Sequence, residues 1–223
     1  MPKRESGREV GLAGQQDHWD AVFAAKPAMF GDSPSDAARA AADAFTRAGT
    51  QTVLELGAGQ GRDTFHFAQN GFKVTAVDYS QAGVKAIAAK AAATGVCHLV
   101  TPLCHDIRTH LPFDDAAFDA CYSHMLFCMA FSMDELRAIC GDVRRVLTPG
   151  ALHIYTVRTT DDPQCGAGIA RGPGMFELHG FVVRFFDEAT VRQLAEGFEL
   201  LSLDRFEETA LPRRLFRVTL RKQ

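Results

Sequence analysis

Residues 53–63 read V-L-E-L-G-A-G-Q-G-R-D, and the fold follows from that run. Val53, Leu54 and Leu56 form a short apolar stretch, the pattern of a buried parallel strand. Gly57, Gly59 and Gly61 fall at alternate positions, and 62–69 then predicts a helix closed by Asn70 and Gly71. A strand that runs through glycines into a helix leaves bare main chain beside the positive helix end, which suits a nucleotide-like ligand. A second strand over 73–78 ends in Asp78, an acid placed to receive ribose hydroxyls. Together these features predict an adenosyl-cofactor site.

Downstream the alternation continues. A helix is expected over 81–93 with Ser80 as its N-cap, then a strand over 99–105. Pro102 cannot donate to a ladder, so that strand belongs at a sheet edge. A fourth strand covers 118–123, and Ser132 with Glu135 is a capping box opening a helix striped by Leu136, Ile139, Val143, Val146 and Leu147. Thr148-Pro149-Gly150 is read as a turn into a fifth strand at 152–157. Residues 159–180 are rich in glycine and proline without a period, so a long loop is expected, closed by a short strand at 181–186. A helix over 188–196 stops at Gly197, and strands at 198–206 and 215–220, joined through Pro212, form an antiparallel pair.

Upstream, 1–14 reads as a flexible tail and 15–26 as an amphipathic helix with Trp19, Val22 and Phe23 on one side, ended by Pro27. Met29-Phe30-Gly31 is an apolar turn, and a second helix starts at Ser33-Pro34, with Pro34 in its first position, and stops at Gly49. The 223 residues suffice for one domain, expected over 15–223, with 15–49 capping the active site and 159–186 inserted on the substrate side. A net charge of −3 argues against a basic face that grips nucleic acid, and Arg213, Arg214, Arg217, Arg221 and Lys222 are read as a solvated strand face. No stretch is apolar for long enough to span a bilayer and there is no apolar signal core, so a cytoplasmic protein without a membrane partner is expected. The six cysteines contain no C-x-x-C pair and are read as buried free thiols, with no metal.

E-L-G-A-G-Q-G at 55–61, Asp78 closing the second strand, Asp106-Ile107 after the third, F-D-A-C-Y-S-H at 118–124 and the final strand pair resemble the class I S-adenosylmethionine-dependent methyltransferases. A nicotinamide-binding domain is the rival for the glycines alone, but its G-x-G-x-x-G fingerprint needs glycine where Arg62 stands. The resemblance implies an α/β, Rossmann-like three-layer sandwich, with a mostly parallel seven-stranded sheet and a C-terminal antiparallel pair. It also implies S-adenosylmethionine as cofactor and S-adenosylhomocysteine as product. Carried over residue by residue, Gly57, Ala58, Gly59 and Gly61 lie against the methionine part of the cofactor, and Asp78 holds the ribose. Glu55 is expected near the ammonium, behind the residues that touch the cofactor, or in a purely structural role; Tyr79 and Ser80 border the adenosine, Asp106 accepts from the adenine amino group with Ile107 on its ring, and Ser123 contacts the methionine portion.

Methyl transfer from a sulfonium is an in-line displacement, so a catalytic base is optional. His124 is the first candidate for one, His18 a weaker one; His66 and His153 are read as structural. Trp19, Met29 and Phe30 are expected to form one wall of the acceptor pocket, with Met125, Phe127 and the 159–180 loop forming others. Such an apolar pocket favours a small-molecule acceptor over a nucleic acid or a protein, on a monomer or homodimer. The alternatives are a non-catalytic S-adenosylmethionine-binding sensor or subunit, or, more narrowly, a methyltransferase for thiols or for tellurium and selenium oxyanions.

Overall fold

The computed structural model describes residues 14–26, 29–178, 180–208 and 212–223. The tail expected over 1–14 lies outside them except for Gly14, as does the helix stop at Pro27. Two helices lead in, α1 (Gly14–Ala25) and α2 (Asp36–Ala48). The helix expected from Pro34 begins at Asp36 instead, because the Ser35 side chain takes the cap position and accepts from Ala38 N at 3.0 Å.

The alternating core follows as β1 (Thr52–Leu56), α3 (Arg62–Gln69), β2 (Lys73–Asp78), α4 (Gln81–Thr94), β3 (Val100–Cys104) and β4 (Phe118–His124). Next come α5 (Met133–Val146) and β5 (Leu147–Arg158). These five strands are parallel. The turn expected at Thr148-Pro149-Gly150 is absorbed into β5 as an irregular start: the pairing register shifts between Phe118 and Ala120, and Gly150 takes φ 81°. After α6 (Glu188–Leu194) and β9 (Phe198–Glu207), β10 (Arg214–Lys222) inserts antiparallel between β5 and β9. The seven-stranded order is β3-β2-β1-β4-β5-β10-β9.

Period-two alternation explains the layers. Val53, Val74, Ala76 and Tyr122 face α2, α3 and α4, while Leu54, Leu56, Val77 and Cys121 face α5 and α6. The α5 capping box is formed, and its apolar stripe is buried. At the rim, β3 bonds to β2 through its odd-numbered side: Leu99 O accepts from Val74 N at 2.7 Å and His105 N donates to Asp78 O at 2.9 Å. Pro102 therefore turns its missing donor outward, as its edge position requires.

Two expectations are corrected. The supposed loop over 159–180 contains β6 (Ile169–Gly172) and β7 (Met175–Leu178), which pair antiparallel with β8 (Phe181–Arg184) in a separate three-stranded sheet. The β6 residues are all exposed and those of β7 only partly buried, so no apolar period marks them. Two of the cysteines expected to be buried, Cys97 and Cys104, are exposed; they lie just before and at the end of the rim strand.

Candidate active site

The strand order reverses at β1, which has β2 on one side and β4 on the other, and a crevice opens at the carboxyl ends of such strands. It holds a cavity of about 400 Å³, a size suited to small molecules. The floor is the glycine turn. Gly57 N and Ala58 N donate to Val77 O at 2.8 and 3.1 Å, which ties the turn to β2. Gly57 has φ 71°, and a Cβ there would come within 2.9 Å of Leu126 Cδ1, so only glycine fits.

Three carboxylates line one wall, those of Glu55, Asp63 and Asp78. Asp78 is 5% exposed; its two oxygens accept from Gly59 N and Ser80 N, each at 2.8 Å. Burial raises its pKa to about 6 against the opposing pull of those backbone donors. Burial, then the neighbouring Asp63 charge, pushes the Glu55 carboxyl well above the usual range, while Thr64 Oγ1 donates to it at 2.5 Å. Asp63 is anchored by Ser35 N and Ser35 Oγ, each at 2.8 Å, and by the Tyr122 hydroxyl at 3.2 Å, so α2 is fastened to the site.

Ala58, Gly59, Tyr79, Asp106 and Ile107 also line the cavity, as do Trp19, Met29, Phe30, Met125 and His124. Asp106 is engaged by Arg108, whose Nε lies 2.9 Å from both oxygens. Partial burial works to raise the Asp106 carboxyl, but that guanidinium outweighs it and holds the pKa below normal. One side of the cavity is aromatic: Trp19 of α1 packs on Phe181 of β8 with centroids 5.0 Å apart, and His18 meets the same ring edge-on at 4.4 Å.

Four expected site residues lie elsewhere. Gly61 caps α3, and a Cβ on it would come 2.8 Å from Ile87 Cγ1, so its bareness serves helix packing. The fully buried Ser80 side chain caps α4 through Gly83 N and donates to Asp20 of α1 at 2.5 Å. Ser123 is fully buried and sits one residue before His124, so alternation turns it from the crevice. Phe127 belongs to the core and packs against Tyr155 at 5.0 Å.

His124 Nδ1 lies 2.9 Å from Thr156 Oγ1, which accepts from Met125 N at 2.9 Å; Nε2 has no partner among the described residues. Burial lowers the imidazole pKa to about 4. Arg158, Gln164 and Arg213 also border the cavity, and the sequence reading did not place them there. The available signal was the position of Arg158 at the carboxyl end of β5, beside the strand that carries His124.

Residues 53–150 match a family model described as a methyltransferase domain. The chain is similar to 24-methylenesterol C-methyltransferase 2 of Oryza sativa subsp. japonica, 30% identical over 212 residues that cover 87% of this chain and 55% of the relative. The protein of the same name from Arabidopsis thaliana is 29% identical over 181 residues, 74% of this chain and 48% of the relative. The chain thus spans about half the length of these curated relatives. Among solved structures, it is similar to the 1,6-didemethyltoxoflavin-N1-methyltransferase of Burkholderia thailandensis, which was solved with 1,6-didemethyltoxoflavin and S-adenosylhomocysteine bound. The TM-score is 0.71 at 19% identity, covering 100% of this chain and 93% of that one, a likeness of fold.

Proposed function

We propose that the chain is a class I S-adenosylmethionine-dependent methyltransferase, as the methyltransferase-domain match over residues 53–150 supports, and that it transfers a methyl group to a small-molecule acceptor held in this cavity. The observation that carries the reading is the carboxylate wall. Glu55, Asp63 and Asp78 gather three carboxyl groups beside a glycine turn, with Arg62 Nε 3.5 Å from Asp63, and a ligand bearing ribose hydroxyls and an ammonium brings hydrogen-bond donors to that wall.

When bound, the cofactor supplies a sulfonium-activated methyl for in-line displacement. Asp78 receives the ribose hydroxyls on the lone pairs that Gly59 and Ser80 leave free. Tyr79, Asp106 and Ile107 border the adenine, and Glu55 faces the ammonium. Trp19 and Phe181 close the opposite side and exclude water. Such alignment is worth about 7–11 kcal/mol in favourable cases, so no strong base is needed.

His124 is reassigned from base to positioning group. Thr156 Oγ1, which accepts from Met125 N–H, also bonds His124 Nδ1 and so fixes the imidazole plane, leaving Nε2 without a partner among the described residues. An imidazole with a pKa of about 4 is a feeble proton acceptor at neutral pH.

Incubation with methyl-labelled S-adenosylmethionine and a panel of small acids, phenols, thiols and amines tests the proposal. Transfer of label to one class supports it. Tight S-adenosylhomocysteine binding without transfer to any acceptor indicates a sensor, and absence of binding removes the cofactor assignment.

A further inference from the structure

β5 ends in an arginine that the cofactor reading does not use. Arg158 is 2% exposed yet borders the cavity. Its Nε and Nη2 point at Asp162, at 3.3 and 2.5 Å, and Nη2 also reaches Gln164 Oε1 at 2.8 Å. Nη1 has no hydrogen-bond partner among the described residues. Asp162 cannot turn to supply one, because its oxygens also accept from Gln164 N at 2.9 Å and Arg214 N at 3.0 Å. The Phe185 ring, 4.8 Å from the guanidinium carbon, helps hold the group in place. A second guanidinium, Arg213, lines the same cavity, and its pKa is depressed by burial and then by the Arg158 charge.

We propose that Arg158 and Arg213 form a carboxylate-binding subsite and that the methyl acceptor is a small organic acid. The guanidinium fork matches a carboxylate, and an unmade N–H pair in a buried wall calls for an acceptor that a ligand brings. Two residues before Arg158 on the same strand, Thr156 holds His124, so an acid anchored here presents its far end to the imidazole. Calling that ligand the methyl acceptor rests on the methyltransferase reading; the anion site itself does not. The other source of the same chemistry is the cofactor's own amino-acid carboxylate. Arg62, directly on the glycine turn and lining the cavity, is better placed for that group.

Matched probes separate the two sources. Benzoate, phenylacetate and indole-3-acetate are titrated against their carboxamides by calorimetry, with the full chain, with and without S-adenosylhomocysteine. At least one acid should bind tenfold or more tightly than its amide. Arg213→Gln should erase that margin while S-adenosylhomocysteine affinity stays within twofold, and Arg158→Lys, which keeps a charge opposite Asp162, should reduce it with an unchanged circular dichroism spectrum. Acids and amides that bind alike to protein saturated with S-adenosylhomocysteine would overturn the subsite and leave the methyltransferase reading intact. A tenfold loss of S-adenosylhomocysteine binding in Arg213→Gln, with methylthioadenosine unaffected, would give the arginines to the cofactor and also overturn it. Discrimination of acids by a protein that binds no S-adenosylhomocysteine would support the subsite and remove the methyltransferase reading instead.

Discussion

At the residue scale, Asp78 joins two tasks on one carboxylate under the proposed function: it holds the glycine turn through Gly59 N, and its remaining lone pairs would receive the ribose hydroxyls. Asp78→Asn removes the charge and sets an amide N–H against one of those backbone donors. S-adenosylhomocysteine binding, read by calorimetry, should weaken by about 1.5–3 kcal/mol, the worth of a charged hydrogen bond. The pH dependence has a definite sign. With its pKa raised by burial to about 6, Asp78 is ionised above that value, so affinity should be level above pH 7 and fall as pH drops through 6. Stability without ligand runs the other way. Between the ordinary 3.8 and about 6 the folded state binds the extra proton, so this group's contribution, present below 3.8, is lost as pH rises through 6; chemical denaturation at pH 4, 5 and 7 reads it. Gly61→Ala separates packing from binding. Its Cβ meets Ile87 at 2.8 Å with φ at +87°, so unfolding free energy should fall by about 1–3 kcal/mol while the folded fraction keeps its cofactor affinity.

At the element scale, the aromatic side of the cavity is a joint product of the first helix and the inserted sheet. Gln16 Nε2 donates to Tyr79 O at 2.9 Å and Asp20 accepts from Ala82 N at 3.1 Å, so α1 is fastened to the turn between β2 and α4, while Phe181 of β8 packs on Trp19. Phe181→Ala should therefore raise the KM for the acceptor about tenfold, as one aromatic contact of 0.5–1.5 kcal/mol and its buried area are lost, with a smaller change in melting temperature. The elements legible in the sequence carry their cause locally. The glycine turn, the Ser132 capping box and the Gly49 stop each need only a few adjacent residues. Of the inserted sheet only β8 was legible, within the strand expected at 181–186; β6 and β7 bury little and their pairing is the whole of their signal. The adjacent pair Ser123 and His124 illustrates a subtler limit: period two says that one faces the crevice, but strand register decides which. Arg158 was missed for a related reason, since its value lies in an N–H that its neighbours leave unmet.

At the scale of the whole molecule, ligand binding at the centre of the sheet should stabilise every strand at once. S-adenosylhomocysteine at about 100 times its Kd adds about 2.7 kcal/mol, which for a domain of this size corresponds to roughly 5–11 °C in melting temperature. NADH producing that shift in its place would reverse the cofactor assignment. The fold itself was readable at this scale because Val53 to Leu56 and the β-α alternation after them leave few topologies open. The rim strand has a further consequence. Pro102 faces outward from β3 without a donor, so a strand laid along that side would lose a bond midway, whereas β9 at the opposite end is unbroken by proline. Within the seven-stranded sheet, addition of a further strand is therefore disfavoured along β3, which leaves β9 as the flank better able to pair.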